Sequence, residues 1–467
     1  MISNKKTRIV ATVGPVTTSV EMLTKLLKTG LNVIRMNFSH GDFAEHQQKI
    51  DNGKIASGKT GIPVLFMQDL SGPKIRLGEF NTESGRITIK KGQTFTITTD
   101  KIKGDETISS INYDKFPKEV KVGHRVMLDD GKKELSVTSI KGNKVVCKVV
   151  VGGELKGRRG VNLPDTDISL SSLTEKDKAD LEFGLKNGVH YYALSFVRRA
   201  SDVIELRDIL RKRKSTAQII SKIETPHAIQ NIDEIIEVSD ALMVARGDLA
   251  IEVPTAEVPL HQKMMIDKCN AAGKPVVTAT QMLESMIHSP VPTRAEVSDV
   301  ANAVFDGTDA VMLSEETTLG EYPLEAVETM ARVAMMAENS DRHAAMFSDD
   351  AFYSTSNPEE AIASSAASFA RSTGAKAIVV ATDTGNVARF VSRHKLHVPI
   401  LAFTSREDVY QQVIYSFACN PFKIADIKDT ATIIATAKKE VVKEKVAKKG
   451  DTIVFITSAN SIVVETV

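Results

Sequence analysis

Tryptophan is absent from this 467-residue chain, aromatic residues make up only 5% of it, and cysteine occurs three times. So few aromatics leave little to stack on bases. A net charge of +1 gives no broad basic footprint, so nucleic acid is not an expected partner. Cys147, Cys269 and Cys419 lie far apart with no CxxC pair, which excludes a zinc knuckle and a disulfide framework. A reduced, cytoplasmic chain is the expectation. No run of 18 apolar residues occurs, so no membrane partner is predicted. The opening MISNKKTRIVATVG lacks the apolar core of a signal peptide. Also missing are the P-loop pattern GxxxxGK(S/T) and the Gly-rich loop, HRD and DFG of protein kinases.

What is present has the proportions of a globular protein, 42% hydrophobic and 25% charged, long enough for two or three domains. Residues 1–70 alternate short apolar runs with helical patterns: TRIVATVG, NVIRMNF and PVLFMQD as strands, SVEMLTKLLKTG and DFAEHQQKIDNGKIAS as helices. From 71 to 167 the period changes to two, with turn signals DDGK and KGNK, which predicts a separate small β domain. From 168 to 345 the βα rhythm resumes, with strands YYALSFV, AQIISKIE, DALMVARGD, KPVVTAT and DAVMLS. Three strands before the insertion and five after it predict a (β/α)8 barrel interrupted after its third strand. Residues 346–467 open with the linker SDDAFYSTSNPEE. They continue as an open α/β domain with a long helix through TATIIATAKKEVVKEKVAKKG.

Barrel enzymes build their sites at the C-terminal ends of the strands. There the sequence places Arg35, Asn37 and Ser39; then Asp69, Lys74 and Arg76; then Ser195 and Arg198. Lys222 and Glu224, Arg246, Gly247 and Asp248, Thr280 and Gln281, and Ser314 and Glu315 follow at the later strands. Alternate residues of an extended chain share a face, so Arg35, Asn37 and Ser39 should point together, as should Lys222 with Glu224 and Arg246 with Asp248. Glu224 and Asp248 could then meet across neighbouring strands, a pair suited to Mg²⁺ when water and substrate complete the shell. Gly247 would admit an anion to backbone N–H groups. A bland alternative stands beside each reading: Lys222–Glu224 and Arg246–Asp248 as structural ion pairs, and Ser195, Thr280 and Ser314 as helix caps. Arg35, Arg76 and Lys222 around paired carboxylates nevertheless suit phosphoryl transfer, which works by positioning and charge neutralisation.

Six segments, VIRMNFSHG, SKIET, VARGDLAIE, TATQMLESM, AVFDGTDAVMLSEET and YPLEAV, closely resemble the pyruvate kinase family, and the resemblance covers essentially the whole chain. It implies transfer of the phosphoryl group of phosphoenolpyruvate to ADP, giving pyruvate and ATP, at the last step of glycolysis. It further implies Mg²⁺ (or Mn²⁺) on Glu224 and Asp248, and Lys222 stabilising the phosphoryl group in flight. Arg35 matches the substrate-phosphate arginine, and Gly247, Asp248 and Thr280 the positions at the substrate carboxylate. Thr280 and Ser314 match residues linked to protonating the enolate. Asn37, Phe38, Ser39, His40, Arg76 and Arg159 match nucleotide contacts, with Arg159 replacing the usual lysine. A homotetramer is implied as well.

The sequence departs from the family pattern at three places. Asp69-Leu70-Ser71-Gly72-Pro73-Lys74 carries lysine where potassium-requiring members have glutamate; their K⁺ pocket corresponds to Asn37, Ser39, Asp69 and the Leu70 carbonyl. An ammonium group can supply the charge of K⁺, so activity without K⁺ is expected. Glu315 replaces a glycine. The turn Thr382–Asn386 resembles the family's phosphate-binding turn and points to a phosphorylated effector in the C-terminal domain, although Asp383 would oppose a phosphate. The late loop ITSANSIVV argues against fructose 1,6-bisphosphate and leaves a sugar monophosphate, a nucleotide or no effector open. The alternative function is a metal-dependent pyruvate-enolate lyase or aldolase on the same barrel.

Overall fold

The computed structural model describes residues 2–348, 357–458 and 461–467. Eight parallel strands close into a barrel. In order around it they are Arg8–Thr12, Val33–Asn37, Leu65–Asp69, Tyr191–Leu194, Gln218–Ile223, Ala241–Ala245, Val276–Ala279 and Ala310–Leu313. These strands are buried almost throughout, as expected of strands with side chains inside the barrel and helices outside it. The helices are capped where the sequence signals caps. Ser19 accepts from the Met22 amide, and Thr174 with Asp177 and Thr293 with Glu296 each form a reciprocal capping box.

The chain leaves the barrel after the third strand through Gly72. Its φ of +64° and the 3.1 Å that would separate a Cβ from Ser195 Cβ leave no room for another residue. The insertion forms a lid of two sheets. A six-stranded one is built on the long pair Lys133–Lys141 and Lys144–Val151, and a two-stranded one pairs Arg86–Ile89 with Gly153–Lys156. Its core, with Phe95, Phe116, Leu135 and Cys147, is separate from that of the barrel.

The C-terminal unit is a five-stranded sheet. Four strands are parallel, and Ile462–Thr466 returns antiparallel to Thr452–Ile456. It docks at the N-terminal end of the barrel, where the Tyr415 ring packs tilted against Tyr191, centroids 4.8 Å apart, and joins the barrel's inner core. Asp309 fastens the junction, pairing with buried Lys395 at 2.8 Å and accepting from the Phe417 amide at 3.0 Å.

Three expectations need correction. The strand over DALMVARGD stops at Ala245, and Arg246–Glu252 is a helix that begins with no intervening loop. Arg246 is pulled sideways to Asp299 (2.6 and 2.7 Å) and the Thr280 carbonyl (2.8 Å), so it does not share a face with Asp248. The long late helix ends at Lys443. Lys445 has a φ of 57°, and the amides of Val446 and Ala447 turn back onto the Val441 carbonyl. The Asp383 carboxylate, expected to oppose a phosphate at its turn, accepts from Thr404 Oγ1 at 2.9 Å and from the Ser405 amide at 3.0 Å. The linker proposed over SDDAFYSTSNPEE and the loop ITSANSIVV fall largely or partly outside the described residues.

Candidate active site

Four charged side chains from three strands meet at the C-terminal mouth of the barrel. Lys222, on the fifth strand, places its Nζ 2.9 Å from Glu224 Oε1 and 3.2 Å from Asp69 Oδ1, and donates to Ser195 Oγ at 2.7 Å. Arg35, on the second strand, reaches the other Asp69 oxygen from Nε at 2.7 Å and Thr12 Oγ1 from NH1 at 2.6 Å. All four groups are buried. The network holds because opposite charges alternate through it, Arg35, Asp69, Lys222, Glu224. Burial alone would push the Asp69 carboxyl up, yet Lys222 and Arg35 hold it below its ordinary value. Burial likewise works against the Lys222 ammonium, but Asp69, Glu224 and Asp248 together keep its pKa above that of an ordinary lysine.

Glu224 is the exception. Burial, with Asp248 adding to it and Lys222 opposing, raises its carboxyl to about 7, even though the Phe196 amide also donates to it at 2.7 Å. Negative charge is therefore in excess around Glu224 and Asp248. A divalent cation fits there: it would relieve that excess, with two carboxylates as oxygen donors. Among the described residues no cluster of three or more His, Cys, Asp or Glu side chains could hold a metal alone. Substrate and water oxygens would have to complete the shell.

Asp248 lies in the short helix Arg246–Glu252 rather than on a strand. The Gly247 amide, expected to receive an anion, donates to Thr280 Oγ1 at 2.7 Å. Thr280 and Gln281 both have positive φ, 71° and 55°. Two consecutive non-glycine residues in that region mark stored backbone strain at the end of the seventh strand. None of the three hydroxyls weighed as caps serves as one. Thr280 is used by Gly247. Ser195 donates to the Leu70 carbonyl at 2.7 Å. Ser314 sits at the start of a four-residue helix without a side-chain cap bond. Glu315 is exposed; its neighbour Glu316 is buried and accepts from the Ser314 amide at 2.7 Å.

Between this mouth and the lid lies a cavity of about 240 Å³, lined by Lys74, Arg76, Arg159 and Asp248 among others. Arg76 pairs with Gly160, the neighbour of Arg159, across adjoining lid segments, and both arginines line the cavity. Arg159 Nε is held by Asp129 at 3.1 Å. Lys74 stands at the rim, where partial burial and then the charges of Arg76 and Lys222 lower its ammonium pKa. Phe38, Ser39 and His40 follow the second strand as a turn, with Asn37 Oδ1, at the strand's last residue, accepting from the Ser39 amide at 3.0 Å. Only Arg35 and Asn37 are therefore in strand geometry; Ser39 is not. Phe38 turns inward: it is buried, stacked 3.9 Å from His46. Sequence reasoning missed the bridging role of Ser195, the Phe196 amide and Thr12. The parity of Ser195 at a strand end was visible; what it would touch was not.

Comparison with known proteins agrees with this geometry. A model of the pyruvate kinase barrel domain matches residues 4–327, and one of the pyruvate kinase alpha/beta domain matches residues 360–465. The chain is 43% identical to a pyruvate kinase of Bacillus licheniformis over 97% of its own length and 78% of that protein's. It is 42% identical to one of Clostridium acetobutylicum, covering 96% and 95%. A crystal structure of a pyruvate kinase from Cryptosporidium parvum superposes with a TM-score of 0.95 at 37% identity, covering 100% of this chain and 98% of the other. The chain belongs to the pyruvate kinase family, phosphotransferases that pass the phosphoryl group of phosphoenolpyruvate to ADP.

Proposed function

We propose that the pyruvate kinase reaction runs between the barrel mouth and the lid, with phosphoenolpyruvate on the barrel side and ADP on the lid side. The observation that supports this most is the juxtaposition of the Arg35–Asp69–Lys222–Glu224 network with a cavity bordered by Arg76 and Arg159. The family requires a divalent metal ion. Glu224 and Asp248 would hold it, as Mg²⁺ or Mn²⁺, and when bound it supplies a Lewis acid for phosphoryl and enolate oxygens.

The protein's own groups account for the rest. Lys222 is held on three sides, so its positive charge needs no reorganisation as negative charge spreads over the phosphoryl oxygens. Arg35, fixed by Asp69 and Thr12, binds the substrate phosphate. Gly247, Asp248 and Thr280 form the floor under the substrate carboxylate, and Thr280 or Ser314 stands at the enolate carbon that is protonated. Arg76 and Arg159 take the nucleotide phosphates, helped by the Asn37–His40 turn through its backbone and polar side chains; Arg159 exchanges Asp129 for phosphate. The lid excludes water from the transfer. An enolate lyase would have no use for the two lid arginines.

The reaction is expected to proceed without K⁺. Of the groups that would form a potassium pocket, the Asp69 carboxylate is taken by Arg35 and Lys222, the Leu70 carbonyl by Ser195, and Asn37 Oδ1 by the Ser39 amide. Three units, 1–70 with 168–345, 71–167 and 346–467, are proposed as domains of a cytoplasmic homotetramer. No helix among the described residues is long and apolar enough to cross a membrane. A phosphorylated effector gains no support from the turn Thr382–Asn386, where the amides of Thr384, Gly385 and Asn386 are already bonded to the Thr382 and Thr384 hydroxyls.

A coupled assay for pyruvate from phosphoenolpyruvate and ADP tests the site. Asp248→Asn and Glu224→Gln should each lower turnover by about a hundredfold or more and weaken apparent metal affinity. Retention of parental turnover by both would overturn the assignment.

A further inference from the structure

The lid touches the barrel at a point that none of the substrate contacts uses. Asn162 lies on the lid strand Val161–Asn162, three residues after Arg159, and its Nδ2 donates to Glu252 Oε1 at 2.7 Å. Glu252 is the last residue of the helix Arg246–Glu252 and is only 6% exposed. It stands four residues after Asp248, so the two carboxylates share a helix face. A second contact runs alongside. The lid hairpin tip at Gly131 packs against Ile251, where a Cβ would come to 3.3 Å from Ile251 Cγ2. Asn162 and Glu252 both line the active-site cavity, and Glu252 also borders a second one of about 590 Å³. Burying a carboxylate is costly unless a specific partner holds it, and here that partner is an amide from another domain.

We infer that Asn162 and Glu252 form a clasp that docks the lid on the metal-bearing helix and so sets the distance between the nucleotide arginines and Asp248. The inference rests on the proposed placing of nucleotide at Arg76 and Arg159 and of metal at Asp248. Glu252 is on this view a positioning residue: it touches neither substrate, and acts by fixing where the lid strand and the Asp248 helix stand relative to each other. Because the Arg246–Glu252 helix is anchored at its other end by Arg246 on Asp299, the clasp moves the lid rather than the helix. When the clasp opens, the arginines withdraw from the nucleotide while the substrate floor at Gly247 and Thr280 stays in place.

Steady-state kinetics on the full-length enzyme test this with Asn162→Ala, Glu252→Ala, the double variant and Glu252→Gln, each checked for parental melting behaviour. Asn162→Ala changes a half-buried lid side chain outside the barrel core, so it serves if Glu252→Ala folds poorly. KM for ADP should rise about tenfold in each single alanine variant, while KM for phosphoenolpyruvate stays within about twofold. The double variant should be no worse than the poorer single one, because both remove the same bond. Glu252→Gln keeps an acceptor oxygen and should restore KM for ADP to within about twofold of the parent. Multiplying effects in the double variant, an equal rise in both KM values, or Glu252→Gln as impaired as Glu252→Ala would each overturn the clasp. Asp248→Asn, run alongside, separates the two readings. Full activity there overturns the metal site. An inactive Asp248→Asn with unchanged KM for ADP in both alanine variants overturns the clasp alone.

Discussion

Replacing Lys222 by methionine removes one buried positive charge and leaves two buried carboxylates facing the gap. In the parent, Nζ stands 2.9 Å from Glu224 and 3.2 Å from Asp69, and only 11% of the side chain is exposed. At an effective dielectric near 20, each contact at ~3 Å is worth about 5 kcal/mol of Coulomb energy. Desolvation offsets most of it, and breaking one side of such a pair costs about 3–5 kcal/mol net. For a barrel of this size that lowers the melting temperature by roughly 6–15 °C. The loss depends on pH in a definite direction. In the parent, Lys222 and Arg35 hold Asp69 below its ordinary pKa, and Glu224 sits at about 7 even with Lys222 opposing burial. Without Lys222 both carboxyls shift upward. A carboxyl whose folded pKa lies above its unfolded value costs stability as pH rises through the folded value, so the variant suffers most above pH ~8 and least near pH ~5. Thermal unfolding of parent and variant in chelator at both pH values measures this, with the pyruvate assay alongside. Turnover should fall by at least about a hundredfold with KM for phosphoenolpyruvate little changed, the signature of an interaction made in the transition state. A melting difference that is the same at both pH values, or turnover within about tenfold of the parent, would refute the account of Lys222 as the pinned charge of the site.

Three further outcomes are expected. Rates in Na⁺ buffer should match those in K⁺ buffer, and Lys74→Glu should lose about tenfold in Na⁺ and recover it with KCl; equal rates for that variant in both salts would remove Lys74 from the account. Glu224 must ionise to bind metal, so Mn²⁺ affinity measured by titration should tighten by about tenfold between pH ~6 and pH ~8, as a group with pKa about 7 goes from roughly one-eleventh to ten-elevenths ionised; identical affinities would place the metal elsewhere. Arg246→Ala releases Asp299 and the Thr280 carbonyl, and should cost about 2 kcal/mol of stability and raise KM for phosphoenolpyruvate; an unchanged KM would make that arginine purely a brace.

The sequence by itself determined the architecture, because its signals are periodic and local. Eight apolar runs alternating with helical patterns point to parallel βα units, and that number suits a closed barrel. A hundred residues of period two in their midst must form their own β core. It also determined which side chains reach the rim, since strand ends are read by counting: Arg35, Asp69, Lys222 and Glu224 all arrived where alternation put them. Counting failed where the backbone changed state. Arg246 and Asp248 were read as strand neighbours, but the strand gives way to a helix at Ala245, and only the pull of Asp299 on Arg246 and of Thr280 on the Gly247 amide reveals why. The tertiary structure alone decided that Ser195 bridges Lys222 to the Leu70 carbonyl, that Phe38 faces the core, and that Asn162 meets Glu252. The Ser195 and Asn162 contacts join residues from 27 to 125 positions apart, and none of these geometries is encoded by a local pattern. The same holds for charge. Composition shows how many carboxylates the chain has, but only packing leaves Asp69 well neutralised and Glu224, two residues from Lys222, with a surplus for a metal to relieve.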